Sequence, residues 1–107
     1  MLKKLGASGL VLAFAVLLVP AVALAAHDFK LTNKGTHQID HVYLSKPNED
    51  SWGDDQLDND EVIAPGRKVT WSINDGCIQD VKIVYHDKHK EIEEKFDTCK
   101  YDLEMTY

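Results

Sequence analysis

Seven carboxylates crowd one stretch of this chain, Glu49, Asp50, Asp54, Asp55, Asp58, Asp60 and Glu61, and no basic residue interrupts them between Lys46 and Arg67. Like charges packed in a loop repel one another unless water solvates them or a hard cation bridges them. Ca²⁺ suits the second role because it takes roughly six to eight oxygen ligands in flexible geometry. Asp54, Asp55, Asp58 and Asp60 are therefore the candidate calcium ligands, and with Trp52 they form the candidate binding surface for a cation or cationic ligand. The spacing is not that of an EF-hand loop, and the glycine that such a loop needs at its sharp turn is missing. A solvated acidic loop is the competing reading.

Other chemistry is thinner. His86 and His89 flank a turn where a transition metal could be captured, but two ligands without a positioned third make a poor site. His37 and His41 read as surface or packing residues. No catalytic residues are identified: no nucleophile stands with a base, no glycine-rich phosphate loop is present, and the paired carboxylates lack an apolar pocket to split their pKa values. Cys77 and Cys99 are the only cysteines. In an oxidising compartment their default state is one disulfide, worth ~3 kcal/mol for a loop of this length in the chain-entropy model.

These groups must be positioned by a corner, Ser51-Trp52-Gly53-Asp54-Asp55-Gln56-Leu57. Ser51 stands three residues before Asp54, the spacing of a capping box, which predicts one short helical turn starting at Trp52. Trp52 and Leu57 give that turn apolar anchors, so Trp52 is expected to be largely buried while Asp54 and Asp55 stay accessible.

The amino terminus predicts export. Lys3 and Lys4 precede an apolar run from Leu10 to Val19, and small residues at Ala23 and Ala25 fit a signal peptidase, placing a signal peptide over residues 1–25 and a single domain over 26–107. The apolar core is too short to span a bilayer, so no stable membrane insertion is expected after cleavage and the location is periplasmic or secreted. Without Lys3 and Lys4, 10 basic residues face 18 acidic ones, a formal charge of −8. Such a chain is repelled by nucleic acid and by anionic lipid; its partner is a protein or a cationic ligand.

The rest reads as short strands with punctuation: 28–33, 39–45, 67–74, 77–86, 90–98 and 101–107, separated by turn signals such as Asn33-Lys34-Gly35 and Ala64-Pro65-Gly66. The fold class is all-β, a small antiparallel β-sandwich of six or seven strands. Segment 77–86 carries apolar residues on both faces and should be a central strand. Trp71, flanked on its face by Val69 and Ile73, should belong to the central core. If Cys77 lies opposite Cys99, Ile83 faces Glu93 and Val81 faces Lys95; the shifted register that pairs Tyr85 with Ile92 and Val81 with Phe96 cannot coexist with it in a regular ladder. A β-bulge or early strand end near the disulfide is expected.

Taken together, the signal peptide, Asp28-Phe29, Val42-Tyr43-Leu44-Ser45, the Ser51 to Leu57 element, the Cys77-Ile78-Gln79-Asp80-Val81 run, Cys99 and the strand ending at Tyr107 resemble a family of small exported bacterial proteins with one Cys pair and no established activity. The resemblance implies export and a compact β domain, and no chemistry. The function expected from the residues is a non-catalytic binding or interaction module whose acidic corner takes a cation or cationic ligand. The alternative is a periplasmic inhibitor or immunity-type protein acting by protein–protein contact.

Overall fold

The computed structural model describes residues 25–107; the signal peptide expected over residues 1–25 lies outside them except for Ala25. Among the described residues six strands form: β1 His27–Asn33, β2 Ile39–Ser45, β3 Lys68–Ile73, β4 Ile78–Tyr85, β5 Lys90–Asp97 and β6 Leu103–Met105. They make two three-stranded sheets, β3-β1-β6 and β2-β4-β5. Alternation decides which faces meet. Phe29 and Leu31 on β1 and Val81, Ile83 and Tyr85 on β4, the two central strands, are wholly inaccessible and fill the space between the sheets.

The expected β4 position is therefore borne out, but one pairing departs from an antiparallel sandwich. β6 runs parallel to β1, with Leu31 opposite Leu103. The chain leaves β5 through the Thr98–Asp102 turn and crosses to the other sheet, and a crossover of this kind, unlike a hairpin, can deliver a strand in the same sense as its neighbour. Trp71 also differs from expectation. β3 is an edge strand, so Trp71 is half-buried: its ring stacks 6.1 Å from Phe29, and Phe29 takes the central place.

Cys77 and Cys99 are bonded, tying the start of β4 to the end of β5. The irregularity expected beside them is present, as a register shift between Gln79 and Val81. Lys95, the extra residue of the bulge, takes φ +54° and gives its N–H to Asp80 Oδ1 at 2.8 Å. The pairings themselves match neither proposed register: Ile83 faces Glu91 and Val81 faces Glu93. Apolar residues oppose carboxylates because β5 is an edge strand, where charge beside the ladder discourages pairing with another chain.

A buried asparagine joins the sheets' ends. Asn33, with no exposed surface, donates from Nδ2 to the carbonyls of His37 and Ile63 and accepts from the Gly35 N–H, so its amide is fully used. Gly35 itself is required sterically, since a Cβ there would overlap the Tyr107 carbonyl.

Candidate functional site

The corner contains no helix. Residues 49–60 form an irregular segment laid along the free edge of β2, and the capping chemistry belongs to Asp55 instead of the Ser51–Asp54 pair. Asp55 Oδ1 accepts the backbone N–H groups of Val42 and Leu57, each at 3.0 Å, and Oδ2 accepts His41 Nδ1–H at 2.6 Å. Gln56 N–H donates to the Val42 carbonyl at 2.7 Å, and Ile63 exchanges two hydrogen bonds with Ile39. The segment thus supplies β2 with the partners that an edge strand lacks. A two-residue look-back from Leu57 to Asp55 is an Asx-type turn, which competes successfully with a helical start at Trp52.

Burial pushes the Asp55 carboxyl up, but the Val42 N–H, the His41 ring and the Leu57 N–H together hold it below the ordinary carboxylate value. Its oxygens are committed to the fold. Leu57, only 5 % exposed, is the apolar anchor of the corner. Trp52 is not: it is half-buried and folds over the outward face of the β2-β4-β5 sheet, where the Lys82 ammonium sits 5.3 Å from its ring and 5.0 Å from that of Tyr43. A polar cleft of about 320 Å³ opens beside it, lined by Ser45, Lys46, Glu49, Ser51 and Asp75.

Asp54, Asp58 and Asp60 are exposed. They do not converge with Asp55: among the described residues, the only three candidate metal-ligand atoms within 4.8 Å of one another belong to Cys77, Asp97 and Cys99, and two of those are in the disulfide. Four carboxylates spread along an extended segment offer calcium no shared shell.

Histidine clusters are what the sequence did not reveal. Tyr107 has His37 stacked at 4.2 Å and His89 at 3.9 Å, and two rings at those separations must take opposite faces. Its hydroxyl donates to Asp87 Oδ2 at 2.7 Å, which is the main cause of the depressed Asp87 carboxyl and the raised Tyr107 phenol. Beneath lies Tyr85, whose hydroxyl is buried without a partner; burial, then Glu91, Tyr107 and Asp87, push its pKa up to about 12. His86 and His89, read from the sequence as too poor a pair to hold a metal, go to separate carboxylates: His86 donates from Nδ1 to Asp40 Oδ2 at 2.9 Å, while His89 engages Glu91. No local pattern foretold these groupings, because they join residues up to 71 positions apart, as where His27 meets Thr98 at 2.7 Å. Compared with protein-family models, curated proteins and solved structures, the chain finds no match.

Proposed function

We propose that this protein is an exported, non-catalytic interaction module that binds a partner protein through the outward face of the β2-β4-β5 sheet. The observation that carries the reading is the placement of Trp52. A tryptophan that could have docked in the core lies on the sheet's outside with Tyr43, around Lys82, and Ile92 beside Lys82 on β5 is 51 % exposed. Tyrosine and tryptophan on an accessible, rigid sheet are the side chains most often dominant in protein–protein binding. The aromatic pair already holds the chain's own ammonium group, which favours a protein surface over a small cationic ligand as the occupant. The disulfide supports an oxidising compartment, periplasmic or extracellular. An inhibitor or immunity-type role is one form of this reading, and membership of the exported family that the sequence resembles belongs to the same proposal.

The test is capture from periplasmic extract by the immobilised wild-type protein, by Trp52→Ala/Tyr43→Ala and by Asp54→Ala. A protein retained by wild type and Asp54→Ala but lost from the aromatic double variant supports the reading. Equal capture by all three, or none above an unloaded matrix, overturns it.

A further inference from the structure

A second cleft, also about 320 Å³, lies at the other end of the same sheet and is lined by Gln38, Asp40, His41, Asp60, Glu61 and His86. Two features of the backbone build it. In a regular strand Asp40 and His41 would point to opposite faces, but the register shift between Ile39 and His41 brings both to the cleft. Bulges of this kind re-aim side chains and are over-represented beside functional sites. His41 pairs with Val84, and His86, the first residue of the turn after β4, gives its N–H to the Gln38 carbonyl, so both histidines border the same end of the sheet and the same cleft. Long aromatic side chains that share an opening across a strand pair are within reach of one another.

Each imidazole is also oriented by an anchored carboxylate. Asp55 holds His41 Nδ1 while its other oxygen is tied to the Val42 and Leu57 N–H groups. Asp40 holds His86 Nδ1 while its other oxygen accepts Gln38 Nε2 at 2.8 Å. An ionised carboxylate only accepts, so both Nδ1 atoms carry the proton and both Nε2 atoms present a lone pair when the rings are neutral. Carboxylate-to-Nδ1 support with Nε2 free is how proteins prepare histidine to ligate a metal.

We propose that His41 and His86, through Nε2, bind a divalent transition-metal ion of the Zn²⁺ or Cu²⁺ class in this cleft, with the exposed carboxylate of Asp60 and water completing the shell. Imidazole selects these ions over calcium, which takes oxygen. Glu61 is less available because it accepts the Asp58 N–H. The three donors are not gathered in advance. His86, with 75 % of its side chain exposed, and the loop at Asp60 close on the ion, so binding also fastens that loop to the sheet.

The experiment is calorimetric titration of the disulfide-bonded protein with ZnCl₂ at neutral pH, paired with imidazole nitrogen NMR shifts, and repeated with CaCl₂. The expected result is one Zn²⁺ per chain, with Nε2 shifts at both His41 and His86 and no heat from CaCl₂. His86→Gln and His41→Gln abolish the binding, His37→Gln/His89→Gln keeps it, and Asp40→Asn weakens it about tenfold or more by releasing the His86 ring. Unchanged affinity in His86→Gln, shifts at His37 and His89 instead, or no heat from ZnCl₂ overturns the proposal. Because the His86 side chain is so exposed, His86→Gln leaves the metal-free protein folded with a thermal midpoint close to that of wild type, which separates lost ligation from lost folding.

Discussion

Asp54 and Asp55 are adjacent and chemically identical, yet one is solvated and the other organises the corner. Asp55→Ala leaves two backbone N–H groups and the His41 ring without their acceptor, and a lost hydrogen bond to a charged group costs about 1.5–3 kcal/mol. Asp54→Ala should stay within about 0.5 kcal/mol of wild type, as exposed substitutions do. Urea unfolding of the two single variants separates these outcomes. The same depression gives a pH dependence. The folded Asp55 and Asp40 carboxyls titrate below the ordinary aspartate value of 3.8. For Asp40, burial acts upward and is outweighed by Gln38 and His86. As pH falls below about 4 the unfolded chain takes up protons first, so stability present at neutral pH is lost through the acid range. A urea midpoint that falls on acidification in wild type, and falls less in Asp55→Asn, is the expected observation. Tyr85 works in the opposite range. Its buried hydroxyl has no partner, so Tyr85→Phe should raise stability by about 1 kcal/mol at pH 8. Wild type ionises in the unfolded state near 10 but in the folded state only at about 12, so it loses stability as pH rises above 10 and the advantage of Tyr85→Phe widens there.

At the scale of the element, position in the sheet outranks residue type. Phe29 lies on a central strand and is wholly buried; Trp71 lies opposite it on an edge strand and keeps part of its ring exposed, with Nε1–H donating to the Gln56 carbonyl at 3.2 Å. Phe29→Ala should therefore cost about 3–5 kcal/mol. Trp71→Ala should cost less despite removing the larger side chain, and comparing denaturation midpoints of the two variants with the disulfide intact decides the order. The ladder between β4 and β5 follows the same logic, since sequence pairing rules seek apolar opposite apolar and an edge strand is free of that demand.

For the whole molecule, about 80 residues offer a stability of only about 4–12 kcal/mol, so one cross-link is a large fraction of it. Reducing Cys77–Cys99 should lower unfolding free energy by ~3 kcal/mol, read as a shift of the urea midpoint with and without reductant. Gly35→Ala tests the closure between the turn after β1 and Tyr107. It forces Tyr107 away from the Thr36 and His37 N–H groups that its carbonyl accepts, and should broaden or displace the His37 and His89 resonances stacked on that ring.

Five of the six described strands were legible to within about one residue at each end, because β-branched and aromatic residues at alternate positions between Gly, Pro, Asn and Asp turns leave few other structures for the backbone. β6 was overextended from three residues to seven, since alternation persists at Tyr101 and Tyr107 where no neighbouring strand is there to pair. The disulfide and its accompanying bulge were also determined locally, by two cysteines flanking facing strands at a spacing that would not fit a regular ladder. Strand order, the parallel β1–β6 pairing and the division between core and edge were not, because period-two patterning specifies a buried face without saying what covers it. The same holds for the site. Trp52, Asp54, Asp55, Asp58 and Asp60 read as one cluster because they are neighbours in the chain, and tertiary structure dispersed them: Asp55 into the β2 edge, Trp52 onto the outer sheet and the rest into water. His41 and His86 lie 45 positions apart and share a cleft only because β2 and β4 pair with a bulge between them. Neighbours at that separation are selected by the register of two strands, and no property of either residue alone contains it.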